Sequence, residues 1–166
     1  YPLMSFGTAP VALAGVPTFV DGNNARARDL ATHLATAIGA DVRHLAADKM
    51  DTLHLAGVIA NNFSNYMLTL TNDVLRRAGT GLDCRVMLPM LRQMLEGIDH
   101  GGDPADRQTG PARRGDRGTI DRHRALLDGD DTLLDTYTLL TRGIAARYGD
   151  TLRDRQMAAI RAIAFD

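Results

Sequence analysis

The strongest constraint on the fold is a stretch of helical periodicity from about Ala47 to Ala78, closed by Gly79 where a helix C-terminus favours glycine. Apolar residues surround it, among them Leu55, Ile59, Phe63, Met67, Leu70 and Val74, which predicts a largely buried helix. At about 100° per residue, His54, Val58, Asn62, Asn65, Thr69 and Asn72 follow one another along one face. Amides on a buried helix demand partners, because an unsatisfied one costs about 1–3 kcal/mol. Those partners are either another helix or protomer, which makes a polar seam, or a ligand.

Downstream, the pattern predicts only helices. One runs from about Leu82 to Ile98, with Pro89 at a kink or an early turn and its methionines as core filler. After a loop over 99–118, Thr119 is the expected cap of a short helix. Two more helices, 131–147 and 151–164, are expected on either side of Gly149-Asp150.

Upstream, Leu3 to Phe6 and Val16 to Asp21 are strand-like. A helix over 25–38 follows, capped by Asn23 or Asn24, with Leu30, Leu34 and Ile38 at helical spacing and Gly39 as terminator. A strand over 41–45 completes a parallel strand-helix-strand unit. So few strands make a poor independent parallel sheet, and the first residue is Tyr1 rather than Met, so more of the sheet is expected before Tyr1. The expected fold is therefore mainly α, with a small α/β piece over 1–46 and a helical bundle over 47–166.

With 166 residues, 45% of them hydrophobic, the chain can bury a core. Its 19 basic and 20 acidic side chains give a net charge of -1, which removes any global attraction to nucleic acid or an anionic membrane. Cys84 is the single cysteine, so no internal disulfide forms, and no apolar run approaches the length of a membrane span. A cytoplasmic protein is expected. No metal-ligand spacing is present, and His100 beside Asp99 and Asp103 reads as a solvated helix end, so no metal is expected. Arg114-Gly115-Asp116 spells a cell-adhesion tripeptide, but three residues recur by chance.

The loop Gln108-Thr109-Gly110-Pro111-Ala112-Arg113-Arg114-Gly115-Asp116 and the following helix to His123 concentrate glycine, proline and ionisable groups. That combination suits either a shaped, chemistry-bearing loop or a solvated one.

Together with His54-Leu55-Ala56-Gly57-Val58-Ile59-Ala60-Asn61-Asn62-Phe63 and His123-Arg124-Ala125-Leu126-Leu127, this loop resembles a bacterial family. Its members join a Rossmann-like dinucleotide-binding domain to a helical C-terminal domain of unknown function, number 2520. The opening Tyr1-Pro2-Leu3-Met4-Ser5-Phe6 resembles its late Rossmann strand, with Met4 where the family often has Gln. The resemblance implies a helical part similar to the C-terminal domains of phosphogluconate dehydrogenase, ketopantoate reductase and pyrroline-carboxylate reductase relatives, which shape the substrate side of a cleft and commonly dimerise. Some of those relatives carry a Lys four residues before the helix Asn. If Asn62 matches that Asn, Val58 stands at the Lys position, and His54, one turn earlier, is the available substitute.

The function so implied is the substrate-binding and homodimerising portion of an NADP- or NAD-dependent oxidoreductase acting on a small polar metabolite. Its cofactor would be bound mainly by a domain missing from this chain, which alone would not turn over. His54 would be the general acid or base, a role suited to imidazole. Asn62 and Asn65 would orient the substrate. Thr109, Gly110 and Pro111 would form a cleft wall, Arg114 would hold an anionic group, and Asp116 would fix Arg114 or His123. The competing reading is a non-enzymatic helical dimerisation or ligand-binding module. Neither reading involves nucleic acid or a membrane.

Overall fold

The computed structural model describes residues 1–8 and 10–163, with side chains as far as Tyr148. Two compact units arise from its contacts, Tyr1–Leu68 and Thr69–Asp166. Every described regular element from Ala47 onward is helical, and the chain is mainly α with a small α/β part.

In the first unit, strand β1 (Pro17–Val20), helix α1 (Ala25–Ala37) and strand β2 (Asp41–His44) form a parallel pair, with Pro17 opposite Asp41 and Val20 opposite His44. Alternation buries Val16, Thr18 and Val20 on one face, and the Thr18 hydroxyl is satisfied by the Val16 carbonyl at 3.1 Å. Asn24 caps α1, its side chain accepting from the Ala27 amide at 2.9 Å. The helix turns its alanines inward, burying Ala35, while Leu30, Leu34 and Ile38 are exposed. Small side chains allow the helix to lie close to the sheet, and the larger apolar stripe is left outside.

The expected strand over Leu3 to Phe6 is not formed. Only an isolated antiparallel bridge joins Pro2 to Thr18, flanked by Leu3 N–H to the Pro17 carbonyl (2.8 Å) and Phe19 N–H to the Tyr1 carbonyl (2.9 Å). The Met4 amide then turns back onto the Pro2 carbonyl at 3.0 Å, which bends the chain away before a strand can extend.

The expected long helix is present but compound. A 3₁₀ turn (Ala47–Lys49) leads into α2 (Met50–Gly57), a π-helical segment follows (Val58–Phe63), and α3 (Ser64–Arg77) completes it. Thr80 and Gly79 amides close its end on the Leu75 and Arg76 carbonyls, with Gly79 at φ 62°. The helix is not largely buried: Leu55, Ile59 and Phe63 are each more than half exposed, and only Leu70 is fully packed. The row of amides is correspondingly exposed at Asn62 and Asn65, so the cost of burying them is not incurred.

The second unit is built on Leu70, Leu127 and Leu133, with Leu134 and Tyr137 against them. A 3₁₀ turn (Cys84–Met87) precedes α4 (Leu88–Asp99), in which Pro89 occupies the first turn, where its missing N–H costs nothing. Met90 and Met94 are exposed rather than core filler, because α4 turns that face away from its own unit's core. Helices α5 (Pro111–Arg114), α6 (Arg117–Leu126) and α7 (Asp131–Ile163) follow. The expected break at Gly149-Asp150 does not occur: α7 is continuous, since a single glycine weakens a helix without ending it. Ala164, its expected last residue, lies outside the described residues. Arg77 joins α3 to the α6–α7 turn, donating to the Asp128 carbonyl (2.8 Å) and pairing with Asp130 (3.0 Å).

Candidate functional site

In the first unit a hollow of about 890 Å³ opens between the N-terminal segment, the turn entering β1 and the α2–π wall. His54, Gly57, Val58, Ala60, Asn61 and Asn62 line it from the helix; Tyr1, Leu3, Met4, Ser5 and Phe6 line it from the N-terminal segment. The π-helical segment decides which amides reach it. At about 100° per residue Asn62 would sit about 80° round from His54, and the wider turns of a π-helix bring it back toward that face. Asn61 and Asn62 therefore share the wall with His54, whereas Asn65 is not part of the lining.

Hydrogen bonds set these side chains. The Tyr1 hydroxyl and His54 Nδ1 are 3.0 Å apart, with their rings edge-on at 6.2 Å. Either imidazole tautomer satisfies the pair, and Nε2 remains for another partner. Asn61 Nδ2 donates to Ser5 Oγ at 2.6 Å and more weakly to Asn62 Oδ1 at 3.4 Å. Asn62 thus keeps its own amino group available beside His54. Tyr1, Ser5 and Asn61 escaped the sequence reading. The signal for Asn61 was there, seven residues after His54 and so nearly in helical phase, but nothing in the sequence announces Tyr1 or Ser5.

The remaining expected site residues, Thr109, Gly110, Pro111, Arg114, Asp116 and His123, belong to the second unit. Gly110, at φ 100°, leads into Pro111 at the start of α5, a backbone that no residue with a Cβ adopts comfortably. The loop is held by Arg113 rather than Arg114: its guanidinium donates to the Ala105 carbonyl (3.3 Å) and the Gln108 carbonyl and lies 5.5 Å from the Tyr148 ring centre. Arg114 is exposed. Asp116, not Thr119, caps α6, accepting from the Thr119 amide at 3.0 Å and its hydroxyl at 2.7 Å. Those two bonds, the amide's first, hold its carboxyl below the ordinary carboxylate range, with Arg114 and Arg122 assisting. Its hydrogen bonds go to Thr119, so the expected fixing of Arg114 or His123 by Asp116 is replaced by a cap. His123 Nδ1 instead meets the Tyr137 hydroxyl at 2.9 Å.

Residues 16–144 match the family described as Domain of unknown function (DUF2520). The chain belongs to this family. A crystal structure described as a putative NADP oxidoreductase from Bacteroides fragilis is similar to this DUF2520 chain, at 28% identity and a TM-score of 0.79. The match covers 88% of this chain and 56% of the other, so the chain spans little more than half the length of that protein. No curated protein matches it.

The strand-turn-helix of this DUF2520 chain does not fit the phosphates of a dinucleotide. Such a turn needs several glycines to let the backbone approach a pyrophosphate. Here Gly22 is the single glycine between β1 and α1, and a Cβ on it would lie 2.6 Å from the Arg28 amide nitrogen. The Ala27 amide, which would face a bound anion, is taken by the Asn24 side chain. Asp21 is likewise engaged, accepting from the Ala47 amide at 2.7 Å and facing Arg28 at 3.6 Å.

Proposed function

We propose that this chain is the substrate-binding and dimerising portion of an NADP- or NAD-dependent oxidoreductase that acts on a small polar metabolite. The observation carrying this reading is its likeness to the protein described as a putative NADP oxidoreductase. In this reading the dinucleotide is held mainly by protein beyond residues 1–166, and this chain binds and orients substrate and moves a proton. His54 exchanges that proton with a substrate oxygen through Nε2, while Tyr1 holds the opposite ring nitrogen. Asn62 orients the same oxygen. Asn65, Thr109, Gly110, Pro111, Arg114, Asp116 and His123 are assigned to substrate contact on the family resemblance. The same reading places the protein in the cytoplasm, and no described helix is long and apolar enough to cross a membrane.

The test is a His54→Asn variant of the intact protein, assayed by NADPH oxidation against a panel of small carbonyl compounds. Loss of a positioned acid or base lowers turnover by about 10²–10⁴-fold. Undiminished turnover would remove His54 from the chemistry. The exposed apolar residues of α2 and the π-helical segment favour a second reading, a helical dimerisation module without activity. Self-association of the intact protein with no nucleotide-dependent turnover of any compound in the panel would support that module instead.

A further inference from the structure

The hollow beside His54 has walls of unusual neutrality for a chain in which nearly a quarter of the residues are charged. Among the described side chains lining it there is no Arg, Lys, Asp or Glu. The Tyr1 backbone nitrogen donates to the Phe19 carbonyl at 2.9 Å. Leu3, Met4, Phe6 and Val58 make the walls apolar, and the polar atoms left over after internal bonding are the Asn62 amino group, the Ser5 hydroxyl hydrogen and His54 Nε2. An anionic group entering here would lose hydration and meet no Arg or Lys side chain, whereas a carbonyl or amide would find donors. Gly57 sets the width. It stands in a helical wall at an ordinary φ of -63°, so no backbone strain calls for glycine, and a Cβ there would point to Leu3 Cδ1 at 3.6 Å.

We propose that this hollow receives an uncharged, partly apolar portion of the ligand, bearing a carbonyl or amide oxygen, and that Gly57 limits the size of that portion. The assignment rests on the oxidoreductase reading only for calling the ligand a substrate; its binding chemistry stands without it.

A shape-matched pair of probes, isobutyramide and isobutyrate, separates the neutral ligand from the anion. Each is titrated into the ¹⁵N-labelled chain, N-terminally acetylated so that Tyr1 carries no ammonium. Isobutyramide is expected to shift the backbone amides of Ser5, Gly57 and Asn61 and to bind about tenfold more tightly than isobutyrate, which meets no Arg or Lys side chain there. Gly57→Leu is expected to abolish those shifts with the spectrum otherwise dispersed as before. Val58→Lys places an ammonium in the wall and is expected to reverse the preference. Equal or tighter binding of isobutyrate to the parent chain, no shifts with either probe, or an unreversed preference in Val58→Lys would each overturn the assignment, even if Gly57→Leu fails to fold. In the intact protein, NADPH-dependent turnover confined to carboxylated carbonyl compounds of this size would sink this inference and leave the oxidoreductase reading standing. Isobutyramide binding without any nucleotide-dependent turnover would do the reverse.

Discussion

At the scale of single residues, Gly57 shows how a side chain's absence can matter as much as its presence. Glycine inside a helix costs about 0.5–1 kcal/mol relative to alanine, and here the backbone is ordinary and the space for a methyl is open. Gly57→Ala is therefore expected to stabilise the chain by about 0.5–1 kcal/mol in urea denaturation. A loss of stability would mean that the wall cannot take even a methyl against Leu3. His54 and Asn62 stand out in the sequence as candidates by type and spacing, and both line the hollow. Arg113 and Arg114 were not distinguishable in sequence. Adjacent arginines point to different sides of a helical turn, and only the fold shows that Arg113 turns back onto the carbonyls of its own loop. Thr119 and Asp116 pose the same problem, since either is a competent cap and the choice depends on where the chain first enters helical angles.

At the scale of elements, Asp21 links the end of β1 to α1 and to the first helical turn after β2. Its carboxylate accepts from the Gly22 and Ala47 amides and faces Arg28, and the backbone bonds, Gly22's first, lower its pKa below 3.8. A group whose folded pKa is depressed contributes stability that is complete above its unfolded value and disappears as pH falls through the folded one. The parent chain is thus expected to be more stable than Asp21→Asn at neutral pH, and the difference should shrink as pH drops below 3.8. Thermal unfolding of both chains across that range checks it; a pH-independent difference would show that the carboxylate's charge is not what matters. The helix pattern from 47 onward was visible in sequence, but its π-helical stretch was not. Extra residues in a turn leave no composition signal, and the stretch is what rotates Asn62 onto the wall beside His54. In α1, likewise, periodicity displayed Leu30, Leu34 and Ile38, while close approach to a two-stranded sheet selected the alanine face for burial.

For the molecule as a whole, the notable property is how little of its apolar surface is covered. Leu55, Ile59, Phe63 and Tyr66 form an exposed series along α2, the π-helical segment and α3, and Met90 and Met94 are exposed on α4. A surface of this kind is characteristic of an association face. In the dimer proposed above, Phe63→Asp is expected to favour the monomer in sedimentation experiments, because a carboxylate replaces an apolar ring at the centre of the series. A dimer unaffected by this change would place the contact elsewhere. The amino-acid sequence by itself determined that the chain is helical after a short strand-helix-strand unit and where most caps and stops fall, since both follow from local spacing and backbone preference. Only the tertiary structure decided which faces are covered, which of two neighbouring side chains turns inward, and that Tyr1, Ser5, His54, Gly57 and Asn62 surround one hollow. The hollow depends on contacts between residues more than fifty positions apart, Tyr1 with His54 and Ser5 with Asn61, and no local pattern encodes them.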